Sequence, residues 1–433
     1  MNKIIVFGAS GDLAKRKIMP AISKMCSKSI KVYGYARSDL VKTYSQEIKK
    51  FYDYSINTDI KSFPDRVTYI KGEYTDLSPL KDVMDENTVA YLSLPPHVYP
   101  SVLFELSSYK VGIILLEKPF GTGLESFKDL LKFKNDKIHF VDHYLLKPMM
   151  ISIYDIYVKT PSIFAFLNKT NIQSVECLFF ESILAEGRAY FDDNGMIKDV
   201  MQNHLVEVLA SILCDHSQEI LDESRTRFIK SIDIDNERYI FGQYKSYTEE
   251  LKKPSKTETF AAFKCIVKND TWENVPFFMA GGKGLKKKTT EIKFNIRKGI
   301  FCHILNLIAN DADRKVFNSI KDSAVSISLV FNIAPENEIY LKIKTQNDNI
   351  KIVLYTSNEI KEISKMKTNN RQDYELIFQC MINGDYFPSV SFEEAGELWR
   401  VFGNILNAPK PLIYYEQGVE MPEEVYEFFK GVD

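Results

Sequence analysis

Five short apolar runs, four of them closed by glycine, proline or polar residues, constrain the fold of this chain more than any other feature. Ile4-Ile5-Val6-Phe7 comes first, followed by Gly8 to Ala14 and a helical stretch to about Lys28. Lys31 to Ala36, Val89 to Leu94, Gly112 to Leu116 and His139 to Val141 are the other four. Runs of this length bounded by turn residues read as buried strands. Strands alternating with helices imply a parallel sheet with right-handed crossovers. Ligands on such sheets bind beyond the carboxyl ends of the strands.

From about Leu146 the pattern changes. Val175 to Phe180, Thr259 to Val267, Lys288 to Ile296 and Val325 to Ile333 are strand-like, with fewer helices between them. Connected antiparallel strands, and so an α+β domain, are expected here. Met196 to Leu213 has apolar residues at helical spacing and is the clearest helix. Glu249 to Lys256 reads as a surface loop, Lys286-Lys287-Lys288 as a solvated face, and Trp272 and Pro276 as packing residues. A chain of 433 residues is too long for one ordinary core. Two domains are expected, residues 1–145 and 146–433.

Composition excludes some classes of function. Apolar content of 45% and charged content of 26% are those of a soluble globular protein. A net charge of −2 gives no reason to expect nucleic acid as a partner. The six cysteines (Cys26, Cys177, Cys214, Cys265, Cys302 and Cys380) form no C-x-x-C pair, so neither a zinc site nor a dithiol motif is indicated. Reduced thiols in a cytosolic protein are the simplest expectation. The first apolar run is too short for a signal peptide, and no uncharged apolar stretch is long enough for a membrane span.

Several segments carry recognisable chemistry, and each alone admits a bland alternative. Gly8-x-x-Gly11-x-x-Ala14 sits between a strand and a helix, as a dinucleotide-binding turn does. Its spacing departs from G-x-G-x-x-G, and a ligand-free turn is the alternative. An NAD site usually has an acid after the second strand. Here Gly34-Tyr35-Ala36-Arg37-Ser38 offers a guanidinium suited to a 2′-phosphate, which favours NADP; an exposed surface arginine is the alternative. Glu117-Lys118-Pro119 places a lysine at a strand end, where proline permits a tight, even cis, turn; a plain loop lysine is as good a reading. His143, Tyr144 and Lys147 group three anion-binding donors just after a strand, or else form a packing cluster at a domain junction. Lys283 follows Gly281-Gly282, which suggests an anion held close to the backbone. Asp199 and His204 lie on the 196–213 helix. Histidine titrates near neutral pH and a carboxylate fixes its tautomer, so the pair suits proton abstraction. A lone helical histidine is more often structural.

Together these segments resemble the glucose-6-phosphate dehydrogenase family. The resemblance runs collinearly through Gly8 to Lys17, Gly34 to Ser38, Leu92 to Pro96, Glu117 to Gly121, Asp142 to Lys147 and Glu186-Gly187-Arg188. It continues through Lys198 to Leu205, Phe241 to Tyr244, Thr259 to Ala262, Trp272 to Phe277 and Pro409-Lys410-Pro411. It implies an α/β Rossmann-like NADP-binding domain, followed by a larger α+β domain with a mostly antiparallel sheet that binds substrate and dimerises. It implies oxidation of D-glucose 6-phosphate at C1 with hydride transfer to NADP⁺, the first step of the oxidative pentose phosphate pathway. His204 matches the family's base and Asp142 its carboxylate partner, so the site is expected where the two domains meet. Lys118, His143, Tyr144, Lys147, Glu181, Asp199, Lys283 and Lys288 match substrate contacts. Gly8, Ser10, Gly11, Asp12, Leu13, Lys17, Arg37, Tyr99 and again Lys118 match coenzyme contacts. No metal is implied. The resemblance also implies a cytoplasmic enzyme, a homodimer or dimer-based tetramer, with no nucleic-acid or membrane partner.

The chain departs from the family pattern in places. Leu146-Lys147-Pro148 replaces the usual Gly-Lys-Glu, and Ala334 replaces a glutamine that often touches substrate. Ala280, Thr289 and Asn332 stand where some animal members use basic residues for a second, structural NADP, so that site is expected to be missing. The chain is shorter than typical members, which trimmed loops explain. A related sugar-phosphate dehydrogenase, with another hexose or a preference for NAD, is the alternative, and a non-catalytic relative is a more distant one.

Overall fold

The computed structural model describes residues 1–25, 29–52, 58–217, 221–368, 373–409 and 411–430. Cys26, Lys28 and Lys410 lie outside the described residues. Two compact units are present: Met1–Leu146 with Asn370–Gly396, and Lys147–Asn369 with Glu397–Asp433.

In the first unit, strands β1 (Lys3–Phe7), β2 (Lys31–Ala36), β3 (Val67–Lys71), β4 (Thr88–Leu92), β5 (Ile113–Glu117) and β6 (Ile138–Val141) form one sheet. All pairings are parallel, and the order is β3-β2-β1-β4-β5-β6. This is the doubly wound dinucleotide-binding order, with its switch point between β1 and β4. Ile4 to Phe7 and Val89 to Leu92 are 0% exposed, as strands covered on both faces must be. The five expected strands are all present. The sixth, β3, lies at the sheet edge and is only partly buried, so its Val67-Thr68-Tyr69-Ile70-Lys71 sequence lacks a continuous apolar run.

The turn after β1 depends on close backbone approach. Gly8 has φ of 74°, and a Cβ there would lie 2.0 Å from the Ser93 carbonyl oxygen. The Gly8 amide donates to the Tyr35 carbonyl at 2.9 Å, and the Ser93 amide to the Phe7 carbonyl at 3.1 Å. The ends of β1, β2 and β4 are thereby tied together under the turn. The helix that follows opens with a π-helical stretch, Ala14–Ile18, and continues as Met19–Met25.

Residues from the far end of the sequence complete this unit. Helix Asp373–Asn383 lies against helix Met19–Met25, with Lys24 paired to Glu375 at 2.6 Å. Val390 makes an isolated antiparallel bridge to Phe140 of β6. The Phe140 ring is stacked on Phe120 at 4.5 Å and meets Phe392 at 4.7 Å.

The second unit is built on nine strands: β7 (Ile172–Phe180), β8 (Ile232–Tyr244), β9 (Phe260–Val267), β10 (Pro276–Gly282), β11 (Thr289–Ile296), β12 (Ser326–Ala334), β13 (Glu338–Lys344), β14 (Asn349–Tyr355) and β15 (Leu412–Tyr415). Their order is β14-β13-β12-β11-β7-β10-β9-β8-β15. The pairings are antiparallel except β7 with β10 and β8 with β15. Along β13, Ile339, Leu341 and Ile343 are fully buried while their neighbours are not, the alternation of a sheet with one covered face.

The expected 196–213 helix is two segments. A π-helical stretch, Ile197–Leu205, runs into an α-helix, Val206–Leu213. The π-helical stretch rests on β7 and β10. Gly281 of β10 makes the seat, since a Cβ there would come 2.8 Å from Met201 Cγ.

Two surface expectations have mixed outcomes. Glu249–Lys256 is a loop only in part, because Tyr247–Leu251 is helical. Tyr247 is fully buried and its hydroxyl donates to Asp192 at 3.0 Å, which anchors that turn. Lys286, Lys287 and Lys288 are exposed, and Trp272 is buried with its ring edge-on to Phe277. Among the described residues Cys177, Cys214, Cys265, Cys302 and Cys380 are free, and no helix is long and apolar enough to cross a membrane.

The Gly8 geometry gives a direct test. Gly8→Ala places a methyl against the Ser93 carbonyl in a left-handed backbone conformation, at an expected cost of about 2–4 kcal/mol. Urea denaturation monitored by tyrosine fluorescence should show the loss. An unchanged midpoint would overturn the close-approach reading.

Candidate active site

The first unit carries its polar groups at the carboxyl ends of its strands. In the turn after β1, Gly8 is buried, Ser10 is half-buried, and Gly11, Asp12 and Leu13 are exposed. The Gly11 amide donates back to the Gly8 carbonyl at 2.8 Å, which sets the turn. Asp12 pairs with Arg16 at 2.6 Å, and Lys17 is exposed on the following helix. At the end of β2, Arg37 is exposed with its guanidinium 5.5 Å from the centre of the Tyr74 ring. The Ser38 hydroxyl donates to that of Ser10 at 3.2 Å, joining the two turns. The donors expected for a dinucleotide phosphate therefore sit together along one edge. The Tyr99 side chain is fully buried, and its hydroxyl donates to the Glu117 carbonyl at 2.7 Å, which supports the end of β5.

That strand end holds an unexpected group. Glu117 is 5% exposed; its carboxylate accepts a hydrogen bond from the Tyr91 hydroxyl and is faced by Tyr374. Burial pushes its carboxyl up to about 7; the two tyrosines and the Lys118 charge oppose the shift, and Asp142 adds to it. Lys118, next in the chain, is half-buried and joined to Pro119 by a cis peptide bond. Asp142 follows β6 and is 1% exposed, with Oδ1 accepting the Tyr144 amide at 2.8 Å. His143 is half-buried, its ring 5.1 Å from that of Tyr144 and stacked on Tyr374 at 6.1 Å.

In the second unit three of the expected substrate contacts form one cluster. Lys283 is 3% exposed; its ammonium donates to Glu181 and lies 3.8 Å from an Asp199 oxygen. It also lies 5.1 Å from the centre of the Phe191 ring. Two carboxylates about one ammonium leave acceptor capacity for the hydroxyls of a polyol. The glycines before Lys283 do different work from that expected. Without Cβ atoms, Gly281 makes room for Met201 and Gly282 for Phe260, so the close approach is to side chains. Lys288 is exposed and lies five residues after Lys283 in sequence.

His204 lies near the end of the π-helical stretch, 3% exposed, its ring stacked on Phe179 of β7 at 6.2 Å. Residues five apart on an α-helix point about 140° away from each other. The wider π-helical turn reduces that angle between Asp199 and His204, and such turns are frequent at functional sites. The Asn203 side chain donates to the Lys198 carbonyl at 2.7 Å, so the polar run there serves the widened turn. Glu258 starts the stretch. It is 1% exposed, its carbonyl accepts the Met196 amide at 3.1 Å, and its carboxylate accepts the Ile197 amide at 3.4 Å.

The comparisons with known proteins agree with this arrangement. Residues 5–151 match the family model described as glucose-6-phosphate dehydrogenase, NAD binding domain, and residues 161–432 match the C-terminal domain of the same family. The chain belongs to the glucose-6-phosphate dehydrogenase family. It is 36% identical to glucose-6-phosphate 1-dehydrogenase of Encephalitozoon cuniculi over 435 residues, 99% of both chains. It is 30% identical to the Aspergillus niger enzyme of the same name, over 93% of this chain and 85% of that one. It also resembles a solved structure of glucose-6-phosphate dehydrogenase in complex with glucose 6-phosphate, with a TM-score of 0.81 and 27% identity over 99% and 97% of the two chains.

Within this family member, the departure at Pro148 has a local explanation. Lys147 is extended and Pro148 occupies the first position of helix Pro148–Lys159, where its fixed φ and missing amide suit a helix start. Ala334 ends β12 before a second cis bond, to Pro335. Asn332 donates to Glu336 at 2.9 Å, and Ala280 is fully buried. Three supporting groups escaped the sequence reading: Tyr91, Tyr374 and Glu258. A glutamate at the entrance to the apolar run of β9 was a usable sign for Glu258. Nothing local distinguished the tyrosines.

The raised carboxyl of Glu117 gives a pH prediction. Between its ordinary value of 4.5 and about 7, the folded chain holds a proton that the unfolded chain has released. Stability therefore falls as pH rises through that window, by roughly 3 kcal/mol for this group. Glu117→Gln should remove the fall, so that melting temperatures of variant and wild type diverge from pH 5 to pH 8 in the variant's favour. Parallel curves would sink the assignment.

Proposed function

We propose that this chain oxidises D-glucose 6-phosphate at C1 to 6-phospho-D-glucono-1,5-lactone, with NADP⁺ as hydride acceptor. The observation that carries the reading is the cluster of buried Lys283 with half-buried Glu181 and Asp199, beside the π-helical turn of His204. Carboxylates and an ammonium suit sugar hydroxyls, and a buried imidazole on the same turn suits removal of a proton. The family membership and the named relatives supply the hexose.

NADP fits the residues of the first unit. The Gly8 turn leaves the start of the following helix to face a pyrophosphate, and Arg37 stands where an acid would favour NAD. Gly8, Ser10, Gly11, Asp12, Leu13 and Lys17 would hold the pyrophosphate side, Arg37 the 2′-phosphate, and Lys118 the nicotinamide side. The bound coenzyme supplies an electrophilic ring carbon that accepts hydride.

His204 acts as general base on the C1 hydroxyl, with Asp142 orienting the imidazole and stabilising its cation. Proton removal raises electron density on the C1 oxygen, which drives the hydride from C1. Lys118, His143, Tyr144, Lys147 and Lys288 position the sugar phosphate, turning binding energy into orientation of C1. Glu181, Asp199 and Lys283 hold the ring hydroxyls. In this reading residues 1–145 bind coenzyme, and residues 146–433 bind the sugar and form a dimer or dimer-based tetramer. The enzyme works in the cytoplasm. Light scattering of the purified chain tests the dimer, and fluorescent tagging in cells the location.

The activity test is the appearance of reduced nicotinamide absorbance with glucose 6-phosphate, run with NADP and with NAD and against other phosphorylated hexoses. His204→Asn should lower kcat about 10²–10⁴-fold with little change in substrate binding. A near-normal kcat would remove His204 as the base. Arg37→Ala should raise the Kd for NADP about tenfold or more while leaving NAD nearly unchanged. Equal weakening of both would overturn the 2′-phosphate reading.

A further inference from the structure

Glu117 lies at the centre of a buried polar group within the first unit that the reaction does not use directly. It is the last residue of β5 and directly precedes Lys118. Its register partner on β6 is Val141, so Asp142 and His143 follow beside it. Tyr91 of β4 donates to its carboxylate; Tyr374 from helix Asp373–Asn383 meets the Tyr91 ring edge-on at 6.5 Å and faces the same carboxylate. The same Tyr374 ring stacks on His143, with an interplanar angle of 28°. Tyr99 holds the main-chain carbonyl of Glu117. The groups facing this carboxyl are therefore Tyr91, Tyr374, Lys118 and Asp142, and one tyrosine continues from it to the imidazole.

We propose that Glu117 is a positioning residue whose carboxyl, clasped by Tyr91 and Tyr374, holds the Lys118 turn and the His143 imidazole in one fixed register. A buried carboxylate faced by two hydroxyls is rigid, because losing either partner leaves it less satisfied in a low-dielectric site. Tyr374 transmits that rigidity to His143 through its ring. The contacts to coenzyme and to sugar phosphate in this unit are thereby set together. Titration adds a consequence. Above neutrality the ionised carboxyl holds both tyrosine hydroxyls and attracts Lys118. As pH falls through about 7 it takes up a proton, loses acceptor strength and releases that hold.

This role rests on the reading of Lys118 and His143 as coenzyme and sugar-phosphate contacts, so its test has two separable arms. The first needs no activity: infrared difference spectra of the whole enzyme between pH 6 and pH 8. A carboxyl band should titrate in the wild type, vanish in Glu117→Gln, and move to higher pH in Tyr374→Phe, which loses the hydroxyl facing the carboxyl and keeps the stacked ring. No such band, or one unchanged in Tyr374→Phe, overturns the clasp.

The second arm is kinetic. Glu117→Gln and Tyr374→Phe should each raise the KM for both NADP and glucose 6-phosphate about tenfold, with a smaller change in kcat. The rise in wild-type KM as pH falls from 8 to 6 should flatten in Glu117→Gln. KM values within twofold of wild type, or a change confined to one substrate, overturn the joint register. If Glu117→Gln does not fold, Tyr374→Phe decides both arms. A wild-type chain inactive toward glucose 6-phosphate overturns the functional reading, while the infrared arm still decides the clasp.

Discussion

Parallel pairing is the constraint on which the first unit depends. Because β1 to β6 all run the same way, their carboxyl ends meet one edge, and whatever follows each strand is delivered there. Gly8, Arg37, Ser93, Lys118 and Asp142 are far apart in sequence and follow β1, β2, β4, β5 and β6 in turn. No long-range polar attraction is needed to gather them. The buried, fully apolar middle of the sheet enforces the register, since a slip by one residue would turn every side chain to the opposite face.

The second unit solves a different problem. A mostly antiparallel sheet offers no common edge of strand ends, so the polar groups of its charged cluster come from a helix laid on the sheet and from the ends of β7 and β10. The seat is close because Gly281 leaves room for Met201, and the helix start is held by the Glu258 carboxylate. Lys283 leaves β10 two residues after that glycine, which brings its ammonium to Asp199 on the helix and to Glu181 just past β7. Packing and chemistry share one short piece of strand.

The sequence was most legible where one physical rule dominated. Apolar runs with turn punctuation located five of the six parallel strands, and the missing one is the half-buried β3, where Thr68 and Lys71 interrupt the run. The wide pattern of Met196 to Leu213 identified a helix, but its π-helical half lies beyond what periodicity resolves, since one altered turn barely changes the spacing of apolar residues. Glu181 was legible through resemblance alone, and its gathering with Asp199 about the Lys283 ammonium could not have been read from spacing. Lys283 itself was noticed for a reason that did not hold: its glycines accommodate methionine and phenylalanine, not an anion. Tyr374 was invisible because it reaches its partner through a connection spanning more than two hundred residues.

That connection affects how the protein is made. The first unit, with its sheet complete by residue 141, still lacks the helix that covers Tyr91 and the strand-like segment that pairs with Phe140. At ~5–20 residues per second, the missing piece emerges from the ribosome roughly 10–50 s after the sheet does. During that interval the nascent sheet carries an uncovered aromatic face and an unpaired edge at β6, the features that invite mispairing. The long insertion between the two parts of this unit therefore sets a waiting time during synthesis, and the half-built sheet must survive it without finding another partner.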